Sequence, residues 1–330
     1  MKVLITGSSG LIGSEAVEHF DLQGHDVFGV IVHCAAQPSH DKASEIPLLD
    51  FEVNALGTIN LLEAARQYRP DIVFIFLSTN KVYGEAPNEI PIKELATRYD
   101  YARAEEYDGV DETCRIDRTL HSPFGASKAA ADLIAQEYGR YFNMKVGVFR
   151  GGCLTGPTHS GVELHGFLAY LVKVTLTGGR YTVYGYKGKQ VRDNIHSHDV
   201  VRAIQEFAAA PRPGEVYNLG GGRGNSISML EAIERIEQLT GRKLDWHYAE
   251  EARKGESHLL HLEFAKVQYP LPSLEDYTQP GCYSGGNGRS AKESASPFCG
   301  KMRRSWRLLR AQLGAAEYAS KLEYFLYRSA

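Results

Sequence analysis

No apolar run in this chain approaches the ~20 residues that a membrane-spanning helix needs. The N-terminus lacks the long apolar core and small-residue cleavage site of a secretory signal, because it opens on a short strand pattern and turns within a few residues. Cysteine excludes little more than it allows. Cys34, Cys114, Cys153, Cys282 and Cys299 are odd in number and scattered, and no pair has zinc or redox spacing. Reduced thiols and no metal site are therefore expected. A formal net charge of −3 gives no overall pull towards nucleic acid or an anionic membrane. What remains is a cytoplasmic, soluble chain of 330 residues, with 43% hydrophobic and 23% charged residues and enough length for two compact units.

The first half alternates strand and helix patterns. Val3–Thr6 reads as a strand, Leu11 to about Phe20 as a helix, and Val27–Ala36 as a second apolar stretch. One long helix is predicted from Phe51 to Tyr68, stopping before Pro70. Residues Ile72–Leu77 are apolar without alternation, as in a strand covered on both faces. A polar stretch from Asn88 to Arg118 reads as a long loop, followed by a helix from Phe124 to about Phe142 and a strand at Val146–Phe149. This rhythm predicts an α/β fold with a doubly wound parallel sheet. Beyond Thr155, helices at Phe167–Leu176, Asp199–Ala209 and Met229–Leu239 and strands at Tyr181–Tyr184 and Val216–Leu219 suggest a smaller C-terminal substrate domain, some of whose segments return to the sheet.

Gly7, Gly10 and Gly13 lie between the first strand and the first helix. In that context a first glycine permits the turn, a second lets backbone approach a pyrophosphate, and a third lets helix pack on strand. Free N–H groups at the helix start, at Leu11 and Ile12, favour the anionic phosphates. The Gly-x-x-Gly-x-x-Gly spacing is that of short-chain dehydrogenases.

Further segments carry a resemblance to the extended short-chain dehydrogenases of the NAD-dependent epimerase/dehydratase family. His33-Cys34-Ala35-Ala36-Gln37 resembles the strand end that borders the cofactor, and Asn54 the structural asparagine of the next helix. Ser78-Thr79-Asn80-Lys81-Val82-Tyr83-Gly84 resembles the segment with the catalytic Ser/Thr, and Arg150 to Pro157 an Arg-to-Gly-Pro element. Gln190–His196 resembles the stretch whose arginine, here Arg192, holds a sugar-nucleotide diphosphate, and Tyr217–Gly222 the strand and turn after it. The segments around His121–Lys128 and Arg150–Pro157 look most like the branch of CDP-paratose 2-epimerases, also called CDP-tyvelose epimerases.

The resemblance implies NAD as cofactor, a nucleotide sugar as substrate, and epimerisation by transient oxidation and re-reduction in a homodimer. It assigns cofactor contacts to Gly7, Gly10, Leu11, Ile12, Gly13, Ala35, Ala36 and Lys128, and the orienting hydroxyl to Thr79. The family pairs a tyrosine with a lysine one helical turn later; here the lysine is Lys128 but the tyrosine position holds Phe124, which has no ionisable proton. Tyr83, Cys153 and His121 are the nearest substitutes by motif, and His159, Glu163 and His165 fall where a substrate loop runs. A 4,6-dehydratase uses Asp-Glu after its threonine; Asn80-Lys81 argues against that reaction. A binding protein without catalysis is the reading from another class.

Two departures from the family stand out. The second strand, Val27–Val30, runs straight into the segment resembling the family's fourth, Ile31–Ala36, with no room for the helix, strand and helix between them. The acidic residue that holds the adenosine ribose about 20 positions past the glycines is missing, since Asp26 precedes its strand and Asp41 follows the wrong one. Weakened NAD binding and an incomplete sheet are predicted. The expected organisation is a shortened dinucleotide-binding domain at 1–155, a substrate region at 156–257 and a divergent, partly disordered tail at 258–330. That tail includes a basic stretch, Lys301–Arg310, read as a solvated helix face.

Overall fold

The chain opens on a strand–helix–strand unit: β1 (Val3–Thr6), α1 (Leu11–Leu22) and β2 (Val30–His33). A computed structural model describes residues 3–22, 29–156, 166–251 and 257–263. Helices α2 (His40–Glu45) and α3 (Pro47–Phe51) follow, then a π-helical turn at Glu52–Leu56 and α4 (Gly57–Tyr68). The single helix expected over Phe51–Tyr68 is thus broken in hydrogen-bond register. Buried Asn54 sits in the π turn, where its side chain is occupied with Gln37, Asp50 and Ser127.

After β3 (Val73–Thr79), the stretch read as one loop contains a small antiparallel hairpin, β4 (Ile92–Glu94) with β5 (Tyr99–Tyr101). Ion pairs account for strands this polar. Asp100 receives Arg223 at 2.7 Å, and Arg98 faces Glu231 at 3.4 Å. Then come α5 (Pro123–Phe142), β6 (Lys145–Gly151), β7 (Cys153–Thr155), α6 (Phe167–Thr177), β8 (Arg180–Tyr184) and β9 (Val191–His196). The described chain closes with α7 (Ser197–Ala209), β10 (Glu215–Leu219), β11 (Ser226–Ser228), α8 (Met229–Thr240), β12 (Asp245–Ala249) and β13 (Leu259–Leu260).

The main sheet is parallel, with strand order β1-β2-β3-β6-β10. One face is covered by α1 and α7, where Ile12, Ala16 and Phe20 meet Val30, Val32, Ile75, Ile204 and Phe207. On the other face α4 and α5 put Leu62, Ala65, Ala131 and Ala135 against Ile31, Phe74, Phe76 and Val148. Both faces are buried, so the central strands are apolar over Val30–Val32, Val73–Leu77 and Val146–Phe149, and turn polar only towards their ends. A second core joins α6, β8 and α8 through Leu171, Val172, Val183, Ile233 and Ile236.

Among the described strands β1 lies at the edge of this sheet, which is the incomplete sheet expected from the short spacing between the glycines and β2. The strand expected at Val27–Val30 and continuing to Ala36 is confined to Val30–His33; residues 23–28 lie outside the described part. All three crossovers β1–α1–β2, β2–α4–β3 and β3–α5–β6 step in one direction, yet α1 covers the opposite face from α4 and α5. The first crossover therefore has the opposite hand to the other two, against a rule that about 98% of such units obey. On its face of the sheet α1 packs beside α7: His19 bonds Gln205 at 2.8 Å and Glu15 accepts from Ser197 at 2.9 Å. Among the described residues no helix covers the other face of β1, and Leu4 is left 45% exposed there.

The boundary expected at residue 257 falls beside a strand contact. Leu259 and Leu260 pair with Val191 and Arg192, and Leu262 donates to Asp193 at 3.0 Å, so residues 257–263 are part of the folded body. The basic stretch Lys301–Arg310 and His159, Glu163 and His165 lie outside the described residues. Among the described residues no helix is long and apolar enough to cross a membrane.

Candidate active site

A cleft of about 1050 Å³ runs between the ends of β1, β2 and β3 and the second core. Its lining includes Gly7, Gly10, Leu11, Ile12, Gly13, Ala35 and Ala36 on one side, Thr79, Phe124 and Lys128 in the middle, and Arg192 on the other. The structure thus brings the cofactor, catalytic and substrate residues expected from the family resemblance into one cavity. Gln190 and Asn194, from the same stretch as Arg192, also line it, as do Tyr181, Tyr184 and Tyr186, which no sequence signal marks as site residues.

The turn is built by close approach. Gly7 has φ +68°, and a Cβ there would stand 2.7 Å from the Ala35 nitrogen; a Cβ on Gly13 would stand 2.1 Å from the Gly7 oxygen. Gly10 differs, because its Cβ would meet no protein atom nearer than 3.4 Å. Nothing in the described packing demands glycine there, and the space belongs to the cleft. These residues fit a phosphate-bearing cofactor on the side of the turn.

Thr79 ends β3 and caps the short 3₁₀ turn Asn80–Tyr83 by accepting from Lys81 N at 3.3 Å. Phe124 and Lys128 lie one turn apart near the start of α5, whose N-cap Ser122 accepts from Gly125 N at 3.0 Å. Lys128 is 3% exposed; its Nζ donates to the Leu77 carbonyl at 2.7 Å and lies 4.2 Å from the Phe76 ring centre. Burial pushes its pKa down to about 8, with Asp132, Cys34 and Asp50 pulling it back up. Burial likewise lifts the Cys34 thiol to about 12, so it is no nucleophile at neutral pH.

Buried side chains behind the cleft tie together the elements that line it. Asn54 accepts from Gln37 N at 2.9 Å and donates to Asp50 and Ser127 at 3.1 Å, joining the end of β2 to the start of α5. Arg150 and Asp132 form a two-bond ion pair at 2.8 and 3.0 Å, and Ser78 donates to the same carboxylate at 2.6 Å. Two sequence-suggested substitutes for a tyrosine are used elsewhere. Tyr83 donates to Asn218 at 2.7 Å beside Arg150, and its pKa is raised by burial. His121 contacts the Val82 and Thr119 carbonyls at 2.8 and 3.1 Å. Neither lines the cleft; Cys153 does.

Residues 28–220 match the model of the NAD dependent epimerase/dehydratase family. The chain belongs to this family. As a family member it is 35% identical over 212 residues to CDP-paratose 2-epimerase of Salmonella typhi, a match covering 62% of this chain and 61% of that one. It is 25% identical over 275 residues to dTDP-glucose 4,6-dehydratase of Escherichia coli, covering 67% and 72% of the two chains. Among solved structures, UDP-glucose 4-epimerase of Thermus thermophilus in complex with NAD superposes with TM-score 0.65 at 26% identity, over 81% of this chain and 92% of that one. MoeE5 in complex with UDP-glucuronic acid and NAD shares the fold, with TM-score 0.68 at 24% identity over 82% and 93%. The family is NAD-dependent, and its members in these comparisons are nucleotide-sugar epimerases and dehydratases.

Proposed function

We propose that this chain binds NAD and a nucleotide-diphosphate sugar in the one cleft and inverts a sugar carbon, with C2 of a CDP-paratose-like sugar as the preferred position. The observation that carries this is the shared cavity: glycine turn, Thr79, Lys128 and Arg192 all line it. Bound NAD would supply the reversible oxidation of a sugar carbinol. Gly7, Gly10, Leu11, Ile12, Gly13, Ala35 and Ala36 hold the cofactor, and Lys128 faces its sugar end. Arg192 takes the diphosphate of the substrate, because a guanidinium matches it with paired hydrogen bonds. Thr79 orients the reacting hydroxyl. Without a phenol at position 124, no side chain at the family's tyrosine position moves the proton, so turnover is slow. Asn80-Lys81 after Thr79 lacks the acid/base pair for eliminating water, which favours epimerisation over dehydration.

Phe124 supports a second reading, a nucleotide-sugar-binding protein that no longer turns over. Incubating the chain at stoichiometric concentration with CDP-paratose and NAD, followed by proton NMR, separates the two. Appearance of the C2-inverted sugar supports the enzyme, and an unchanged spectrum with demonstrable binding supports the second reading. A homodimer through α3 and α5 is part of the proposal. Leu48, Leu49 and Phe51 on the first and Leu133, Tyr141 and Phe142 on the second are exposed apolar side chains.

A further inference from the structure

We propose that this chain reads only the nicotinamide–pyrophosphate half of its cofactor and therefore binds NAD and NADP with nearly equal affinity. The inference rests on the cofactor reading above and concerns the cofactor's far end. In a dinucleotide fold, the ribose of the adenosine is held by a carboxylate at the end of the strand flanking β1, about 20 positions past the glycines. That carboxylate accepts from the 2′-hydroxyl of NAD and repels the 2′-phosphate of NADP, so it both strengthens and selects.

Here β1 is the edge strand, and no described strand lies beyond it. Its neighbour among the described strands, β2, pairs on the side towards β3, with Val3 opposite Val30 and Thr6 opposite His33. Only residues 23–29 separate α1 from β2, too few for a further strand and its return helix. Counting about twenty positions on from Gly13 arrives at His33, which cannot serve as the missing group. Its ring is 5% exposed and held between the Thr6 hydroxyl at 2.7 Å and the Thr58 hydroxyl at 3.0 Å. The nearer half of the site is intact: the turn, the start of α1 and Ala35 and Ala36 line the cleft, and Gly10 leaves its space open. Among the described residues, the strand that would carry the selecting carboxylate is absent while the phosphate turn remains.

Calorimetric titration of the full chain with NAD, NADP and nicotinamide mononucleotide tests this. The expected result is binding of NAD and NADP within about threefold of each other, with weaker but saturable binding of the mononucleotide, which lacks the adenosine and one of the two phosphates. Gly10→Ala, which the protein's own packing accommodates, should weaken all three by about tenfold or more with Tm unchanged. A preference for NAD over NADP beyond about tenfold would overturn the proposal while leaving the cofactor reading in place. Binding of none of the three would overturn both. Full binding by Gly10→Ala would place the ligand away from the turn and overturn it as well.

Discussion

Restoring a hydroxyl at position 124 should restore the proton transfer that this site lacks. Phe124 is 8% exposed and lines the cleft, so the added oxygen of Phe124→Tyr enters the cavity and not the core. Lys128 stands one helical turn on, on the same face of α5. Its ammonium, whose pKa is about 8, favours the phenolate and draws the new tyrosine below its ordinary value. A positioned acid/base group is worth about 10²–10⁴ in rate, or ~2.7–5.5 kcal/mol of barrier at 1.36 kcal/mol per tenfold. Initial rates of CDP-sugar inversion, measured by NMR at saturating NAD, should rise by that factor. The rise should fade at low pH, where the phenol is protonated, and disappear when Lys128→Met is added. Equal rates for Phe124 and Phe124→Tyr, with both proteins folded and binding both ligands, would refute the reasoning about this position.

Three further outcomes follow from the buried groups. Asp132→Asn leaves the Arg150 guanidinium without its carboxylate in a site where the two are 4% and 0% exposed, so stability should fall by about 3–5 kcal/mol in urea unfolding; a loss under about 1 kcal/mol would contradict the pairing. Gly13→Ala puts a methyl 2.1 Å from the Gly7 oxygen and should cost about 1–3 kcal/mol, whereas Gly10→Ala should leave Tm unchanged. Asp193 is fully buried, its Oδ1 has no hydrogen-bond partner among the described residues, and desolvation raises its pKa to about 7 despite N–H donors from Leu262 and Gly222. Its folded pKa exceeds its unfolded one, so the folded state binds the extra proton and its stabilising share is present below about pH 4 and lost by about pH 7. Relative to Asp193→Asn, the wild type should lose up to about 1.4 kcal/mol per pH unit across that window in urea titrations, and a gap that does not change with pH would contradict it.

The features legible in the sequence are those set by neighbours in the chain. The glycine turn, Thr79 after its strand and Lys128 four places past Phe124 are local patterns, and each reaches the cleft. The shortened sheet was legible too, because counting residues between glycines and β2 excludes an extra unit whatever the residues are. Hidden were the features set by distant partners. The π turn at Glu52–Leu56 keeps the apolar spacing of one helix, and it coincides with Asn54's bonds to distant Gln37 and Ser127, which no local pattern shows. The hairpin at Ile92–Tyr101 looked like a loop because its polar residues find partners as far away as Arg223 and Glu231. Tyr83 seemed a substitute base until its hydroxyl met Asn218, 135 residues later in the chain. The hand of the first crossover was equally out of reach, since it depends on which face of the sheet α1 covers, and its neighbours there come from α7, where Gln205 lies 186 residues past His19.

The central claim is that one cleft takes both the cofactor and a nucleotide-diphosphate sugar, with Arg192 on the diphosphate. Calorimetric titration of a CDP-sugar into the full chain saturated with NAD, beside the same titration of Arg192→Met, tests it most directly. The account predicts saturable binding at one sugar nucleotide per chain, weakened about tenfold or more in the variant while NAD affinity holds. No binding by the wild type, or equal binding by Arg192→Met, would contradict it.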